Sequence, residues 1–353
     1  MLAAFLVLVP SVVATATAAP AARVLDPLHL PALPAQGLVI EQKGGVLLET
    51  TAGKVIGRLP GFSVYPPPKL PERLFPRSVG IQALAEADPR LTVLFDQQGA
   101  GWLLDPAVGK LRKIGPLRVP LAPGASLEAV VTTHGAGVDT RMVVRRHGKV
   151  VLSGLFVHVA GGRYASTDDS VDSRPNEVVD VVTGRRMQLG ARCILAGIDG
   201  GTAYAACAPR IESTKSASHL YSYSGGGKRL LATLPKGLVG SVASLSPDTR
   251  WMLLYLQPFC GAGWVAFFPT AGGPARLAVG GPIPTTGVPA TSVPHTSFLG
   301  WTSDGQAAIN VARLDAGSGC EGLPETGVSL VDPATLDRVH ASPLFASMLW
   351  GSS

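Results

Sequence analysis

A hairpin pattern that occurs seven times is the feature of this sequence that most restricts its fold. Each copy has a short apolar segment, a turn containing Gly or Asp, a basic residue and a second short apolar segment. This order is typical of two antiparallel strands joined by a tight turn. The copies recur about every 47 residues, a period typical of four-stranded repeats. They occupy residues 45–59, 101–115, 141–154, 176–190, 219–234, 263–279 and 327–342.

A second strand-turn-strand pattern precedes several of these hairpins, and an Asp lies in each of its turns. A carboxylate in a tight turn accepts hydrogen bonds from nearby backbone amides, so we expect these Asp residues to be structural. The copies are 81–96 with Asp88, 194–208 with Asp199, 241–257 with Asp248 and 299–314 with Asp304. Each repeat then contains four strands, A to D, in meander order. The prediction is an all-β chain folded as a seven-bladed β-propeller, with six or eight blades as alternatives.

Closing such a ring requires a strand from each end of the chain. The first blade has predicted strands at 38–42, 45–50 and 54–59, but no clear A strand precedes them. The segment Leu344–Trp350 is a predicted strand without a blade of its own. We expect this C-terminal strand to pair with the N-terminal blade as its innermost strand.

Two turn sequences, Ser246-Pro247-Asp248 and Thr302-Ser303-Asp304-Gly305, resemble turns of the TolB-like and WD40-like propeller families. The resemblance covers roughly residues 28–350 and concerns the fold, because a turn motif specifies no activity. The sequence lacks the Trp-Asp and Gly-His pairs of WD40 repeats, which favours the TolB-like side. The resemblance implies contacts with proteins of a bacterial envelope.

The N-terminal segment has the pattern of a secretory signal peptide, which we assign to residues 1–18. Residues 1–19 carry no charged side chain, and an apolar run leads to Ala16-Thr17-Ala18, a typical cleavage site. The alternative is an uncleaved membrane tether, although the apolar run is shorter than the roughly 20 residues of a spanning helix. We expect a linker at 19–36, one propeller domain at 37–353, and a secreted or periplasmic location.

The four cysteines predict two disulfide bonds in an oxidising compartment. Cys193 and Cys207 lie nearly opposite each other in a predicted hairpin. Cys260 and Cys320 lie in equivalent loops of neighbouring blades. We therefore predict the pairs Cys193–Cys207 and Cys260–Cys320, and no metal site.

Long connections are predicted at one end of the ring. In a meander blade the B–C and D–A connections lie at one end, which we call the long-loop face, and the A–B and C–D turns lie at the other, the short-turn face. Long loops on a rigid scaffold often carry binding residues. The long connections are 60–78, 167–176, 209–218, 280–297 and 315–326. The binding residues that we predict on them are Phe62, Tyr65, Lys69, Arg73, Arg77, Asp168, Asp169, Asp172, Arg174, Arg210 and His295.

Charge and motifs limit the possible functions. The net charge is +6, but the basic residues are scattered, so we do not expect nucleic acid as a partner. No nucleophile elbow, zinc-protease motif or phosphate-binding loop occurs in the sequence. We expect a monomeric, non-catalytic binding module without a cofactor that contacts an envelope protein or a cell-surface polymer. The alternative is a propeller-type hydrolase or lactonase with an active site on the axis.

Overall fold

The computed structural model describes residues 22–71, 74–88, 90–115, 117–134, 137–167, 175–207, 217–225, 227–235, 238–258, 263–280, 283, 295–312 and 325–351. Within these residues the strands form seven four-stranded antiparallel sheets, and one helix is inserted between two of the strands. The seven-bladed β-propeller is therefore confirmed, and the alternatives with six or eight blades are wrong.

The strands follow the chain from blade to blade. Blade 1 contains β1–β3, and the next six blades contain β4–β7, β8–β11, β12–β15, β16–β19, β20–β23 and β24–β27. The strands of blades 1 to 3 are β1 (Gly37–Gln42), β2 (Gly45–Thr50), β3 (Val55–Pro60), β4 (Phe62–Ser63), β5 (Val93–Asp96), β6 (Gly101–Asp105), β7 (Lys110–Lys113), β8 (Arg118–Pro120), β9 (Ala125–His134), β10 (Gly137–Arg146) and β11 (Lys149–Gly154). Those of blades 4 and 5 are β12 (Val157–Ala160), β13 (Tyr164–Thr167), β14 (Pro175–Asp180), β15 (Arg186–Ala191), β16 (Cys193–Asp199), β17 (Thr202–Cys207), β18 (His219–Ser224) and β19 (Gly227–Thr233). Those of blades 6 and 7, with the closing strand, are β20 (Leu238–Leu245), β21 (Trp251–Pro258), β22 (Trp264–Pro269), β23 (Arg276–Leu277), β24 (His295–Trp301), β25 (Ala307–Ala312), β26 (Glu325–Val331), β27 (Arg338–Ser342) and β28 (Met348–Trp350).

The hydrophobic core lies mainly between neighbouring blades. Side chains alternate along each strand between the two faces of its sheet, so one face of each blade packs on the blade before it and the other on the blade after it. Leu220 of blade 5, for example, packs in one buried cluster with Leu254 and Phe268 of blade 6. The strand order also shows that the seven predicted hairpins are the C–D pairs of the seven blades.

The ring closes as predicted, with β28 as the innermost strand of blade 1. Its pairing with β1 places Gly37 opposite Trp350 and Val39 opposite Met348. The Trp350 ring is fully buried, and its indole N–H donates to the carbonyl of Pro34 at 3.2 Å. A Cβ atom on Gly37 would lie 2.2 Å from this ring, so glycine is required where the ring crosses the strand.

The prediction of a strand, a turn and a strand at 81–96 is wrong in its first half. Residues Phe75–Ala87 form the helix α1, inserted between β4 and β5. Pro76 lies at the start of the helix, where its missing N–H costs nothing, and the residues that follow are mostly good helix formers. Ile81 and Leu84 are buried against blades 2 and 3. The innermost strand of blade 2 is consequently β4, which has only two residues.

Residues 22–36 pack along the outside of the first two blades before β1 begins. The amide of Leu25 donates to the carbonyl of Arg58 on β3, and that of Leu30 donates to Gly109, which precedes β7. Gln36 then reaches the closing strand and donates to the carbonyl of Gly351 at 2.6 Å. Within the part of the chain that the structure describes, no helix combines the length and apolar character needed to cross a membrane.

The disulfide between Cys193 and Cys207 is confirmed. The two residues are directly paired across β16 and β17, with Cα atoms 3.9 Å apart. The bond is buried next to Tyr223, whose hydroxyl lies 3.5 Å from each sulfur. Cys260 and Cys320 lie outside the described residues, so their pairing stays a prediction.

Candidate functional site: the axial cavity

A cavity of about 490 Å³ lies at the axis of the propeller. Its wall is built from the innermost strands of blades 4 to 7, together with the C-terminal part of α1 and the segment after it. Residues of the A–B turns also line it, including Gly161 in blade 4 and Pro247 in blade 6. Because A–B turns lie at the short-turn face, the cavity is at the end of the ring opposite to the long loops.

Two of the four wall strands are irregular where they line the cavity. The register of β16 against β17 shifts between Leu195 and Gly197, and that of β24 against β25 shifts between Phe298 and Gly300. The shift in β20, between Gly240 and Ala243, lies outside the lining. A bulge leaves a residue outside the ladder and often lies beside a functional site. The residues skipped in the first two registers, Ala196 and Leu299, both line the cavity.

Arg90 forms one charged part of the wall and is held by a buried carboxylate. Its Nε donates to Oδ1 of Asp88 at 2.8 Å, and its Nη2 donates to Oδ2 at 2.5 Å. The Asp88 side chain is fully buried, whereas the Arg90 side chain is 38% exposed. The guanidinium lies against Gly162, where a Cβ atom would be 1.9 Å from Nη1. Only glycine therefore allows Arg90 to approach the A–B turn of blade 4 this closely.

Arg163 forms a second charged part of the wall. Its Nη2 donates to Oδ2 of Asp180 at 2.9 Å, and its guanidinium lies 5.2 Å from the centre of the Tyr164 ring. Burial alone would raise the pKa of Asp180. Hydrogen bonds from Arg163 and from the amides of Val182 and Thr183 outweigh it and lower this pKa to about 2. Asp180 is therefore a carboxylate at every physiological pH, and it keeps Arg163 in place.

The other polar groups of the wall are mostly engaged with neighbouring side chains. Glu86, near the end of α1, accepts a hydrogen bond from Gln82 at 2.8 Å. The hydroxyl of Ser244 accepts from the indole of Trp301 at 3.0 Å. His158 on β12 completes the titratable groups that face the cavity with Tyr164 and the two arginines. Among the described residues, no group of three or more His, Cys, Asp or Glu side chains could hold a metal ion.

The segment 60–78 lies partly at the long-loop face, although its position in the blade differs from the prediction. The D–A connection is only Gly61, and the segment after it joins β4 to β5 as an A–B connection. Its second half returns to the long-loop face, where Ser78 donates to the carbonyl of Gly99 at 2.6 Å and Arg77 donates to that of Ile114 at 2.9 Å. The loop is thus packed on the scaffold at this end.

The structure places several predicted binding residues on or next to this segment. Phe62 packs edge-on against Trp102, with ring centres 6.0 Å apart. Tyr65 is 64% exposed, and Lys69 is exposed as well. His295 lies apart from this segment, in blade 7, as the first residue of β24 opposite Ala312. The predicted residues that lie outside the described part of the chain are Arg73, Asp168, Asp169, Asp172, Arg174 and Arg210.

The residues of the axial cavity are not among the binding residues predicted from the sequence. Glu86 and Arg90 were assigned to a strand and a turn, and Arg163 was not singled out. One local signal could have identified the helix that carries Glu86, because Ile81, Leu84 and Ala87 follow the spacing of a buried helical face. No local signal could have brought this helix to the innermost strand of blade 4.

The comparisons with known proteins reach the level of the fold. No family model and no curated protein matches the sequence. Solved structures that match include TolB from Acinetobacter baumannii, with 11% identity over 76% of this chain and 63% of that chain and a TM-score of 0.37. The periplasmic gluconolactonase PpgL from Pseudomonas aeruginosa has 14% identity over 89% of this chain and 97% of that chain, with a TM-score of 0.41. Dihydro-heme d1 dehydrogenase NirN in complex with DHE has 13% identity over 93% of this chain and 78% of that chain, with a TM-score of 0.49.

These likenesses concern the fold and do not extend to an activity. This chain spans less than two thirds of the TolB structure. A second TolB structure, from Agrobacterium tumefaciens, is also among the matches. The resemblance of this chain to TolB-like propellers is confirmed as a resemblance of fold.

Proposed function

We propose that the protein is an extracytoplasmic binding module that contacts an envelope protein or a cell-surface polymer and receives part of this partner in the axial cavity. The observation that carries the proposal is the cavity itself, which four blades and α1 enclose at the axis. Its volume of about 490 Å³ lies in the range of ligand sites, roughly 300–1,000 Å³. The buried Cys193–Cys207 disulfide supports a compartment outside the cytoplasm.

The composition of the wall supports binding more than catalysis. Small residues such as Ala160, Ala196 and Gly300 give the wall little chemistry of its own. The two carboxylates nearest to the wall arginines, Asp88 and Asp180, are already engaged in ion pairs. Carboxylates held in this way are suited to position the arginines around a ligand.

A second surface belongs to the proposal because the sequence predicts it. Tyr65 and Lys69 are exposed in the loop that is anchored at the long-loop face. An exposed tyrosine and a nearby lysine are suited to contact a protein or a polymer. This surface and the cavity lie toward opposite ends of the ring, so variants can separate their contributions.

The alternative function, a hydrolase or lactonase, depends on Glu86 and His158. Both residues line the same cavity, and a carboxylate and an imidazole are the usual groups for general acid and base catalysis. If the protein hydrolyses lactones or esters, Glu86→Gln and His158→Asn should each abolish most of the activity. Equal rates in these variants and the original protein would remove the enzymatic alternative.

The test is crosslinking capture of the tagged protein in its own cell envelope, with the captured partners identified by mass spectrometry. Ala160→Trp fills the cavity from the wall, and Ala271→Trp introduces the same side chain in an exposed turn as the matched control. A third variant combines Tyr65→Ala and Lys69→Ala. We expect a partner that the original protein and Ala271→Trp capture and that Ala160→Trp loses.

Each outcome of the capture experiment has a separate meaning. Loss of the partner in the Tyr65 and Lys69 variant alone would transfer the binding role to the long-loop face. Equal capture by all variants, or no specific partner, would contradict the proposal of a binding module that uses the cavity. Far-UV circular dichroism of each variant checks that the propeller is still folded.

A further inference from the structure

We propose that Arg90 and Arg163 bind the carboxylate of the ligand while an apolar part of the same ligand occupies the axial cavity. This inference rests on the proposed function and adds the chemical class of the ligand. Its basis is the way in which the structure fixes both guanidinium groups, the charge that they present, and the apolar wall beside them.

Both arginines are fixed before any ligand arrives. Asp88 holds Arg90 through Nε and Nη2, and Asp180 holds Arg163 through Nη2. Gly162, next to Arg163 in the chain, lies against the guanidinium of Arg90. A side chain that is already ordered loses little entropy when it binds, so such arginines are suited to recognition.

Most of the remaining donors belong to the Nη1 atoms. Within the described residues, neither Nη1 atom has a hydrogen-bond partner, and each carries two N–H groups. Arg90 and Arg163 both line the cavity, whereas Asp88 and Asp180 do not. The lining therefore includes both cationic side chains but neither of the carboxylates that hold them.

A ligand with a single negative charge suits the arginines better than a doubly charged one. The arginines contribute +2 and Glu86 contributes −1 among the lining residues, while Asp88 and Asp180, which pair with the arginines from outside the lining, contribute −2. His158 and Tyr164 are the other titratable groups that face the cavity. A carboxylate has one negative charge, while a phosphate monoester carries about −1.5 to −2 at neutral pH. Guanidinium groups match the planar geometry of a carboxylate.

The rest of the wall is apolar enough to hold the body of such a ligand. Val159, Leu245 and Phe298 line the cavity from three different blades. Burial of apolar surface supplies affinity, and the arginines supply orientation and specificity. A carboxylate attached to an apolar group occurs both in free organic acids and at the C-terminus of a protein chain.

Two pairs of probes test the carboxylate and separate its two sources. The first pair is phenylbutyrate and its amide. The second is the acetylated peptide Ala-Ala-Leu-Phe with a free or an amidated C-terminus. Isothermal titration calorimetry measures all four against the full chain. We expect at least one acid to bind about tenfold more tightly than its amide, a difference of about 1.4 kcal/mol. The pair that shows this preference identifies the source.

Variants then assign the preference to the two arginines. Arg163→Gln removes one charge. Arg90→Lys keeps the charge, so that Asp88 is not left without a cationic partner, but it loses the planar fork of the guanidinium. Both should lower the preference for the acid about tenfold. Arg250→Gln is the matched control, because Arg250 pairs with Asp248 at 2.5 Å in the A–B turn of blade 6 and does not line the cavity.

The inference is overturned if acid and amide bind equally, or if no probe binds at millimolar concentration. It is also overturned if Arg250→Gln loses as much preference as Arg163→Gln. If acid and amide bind equally and Ala160→Trp abolishes the binding of both, the cavity remains a binding site and only its preference for a carboxylate is refuted. Capture from the envelope decides the proposed function independently of these probes.

Discussion

Trp350 should carry much of the stability of the closed ring. The indole is fully buried where β28 meets β1, so replacing it with alanine removes a large apolar side chain and leaves a cavity. Such substitutions cost about 3–5 kcal/mol. Loss of the hydrogen bond to Pro34 adds about 1 kcal/mol. We expect Trp350→Ala to lower the free energy of unfolding by about 4–6 kcal/mol, a large share of the roughly 5–15 kcal/mol of typical domains.

Two further variants calibrate this loss. Trp350→Phe retains most of the apolar ring and loses the indole hydrogen bond, so we expect a cost of about 1–2 kcal/mol. Val339 on β27, in the neighbouring blade, is 57% exposed. Val339→Ala should therefore change the stability by less than about 0.5 kcal/mol.

Guanidinium chloride unfolding, followed by far-UV circular dichroism, measures the change. A second probe, near-UV dichroism, must give the same midpoint before a free energy is calculated, because a ring of blades need not unfold in one step. Deletion of residues 343–353 should have an effect at least as large as that of Trp350→Ala. A loss below about 1 kcal/mol in Trp350→Ala, with normal cooperativity in the truncated chain, would refute the idea that β28 holds the ring closed.

Three more outcomes follow from the buried groups. Replacing Cys193 and Cys207 together with alanine should cost about 3 kcal/mol in the unfolding assay, because the bond closes a loop of about 15 residues; an unchanged midpoint under oxidising conditions would contradict this. Burial raises the pKa of Glu49 above its ordinary value of 4.5, against a smaller opposite effect of its hydrogen bond with Ser342. The stability that the protonated Glu49 contributes is present below pH 4.5 and is lost as the pH rises through the folded-state pKa. Glu49→Gln should therefore be more stable than the original protein at neutral pH. A parallel pH dependence of the two proteins would contradict this prediction. Leu84→Ala, which empties a buried position on α1, should cost about 2–5 kcal/mol, and a cost near zero would mean that the helix is not part of the core.

Sequence patterns predict this fold best where short-range chemistry decides the structure. The C–D hairpins require a turn residue and alternating apolar positions within about 15 residues, and both are visible in the sequence. The pairing of Cys193 with Cys207 followed from the same hairpin register. The strand prediction was wrong at 81–88, because a short apolar pattern fits either a strand or a helix. Only the packing of Ile81 and Leu84 on two blades decides between them.

The sequence by itself predicted the seven repeats, the order of most strands and the closing partner of β1, because each depends on local periodicity and on one unpaired strand at the end of the chain. The tertiary structure alone decided where the candidate site lies. Arg90 and Arg163 are 73 positions apart, and they reach one cavity because α1 crosses the ring from the long-loop face to the A–B turn of blade 4. Contacts of this kind depend on how separate blades pack around the axis, and no pattern within one repeat encodes them.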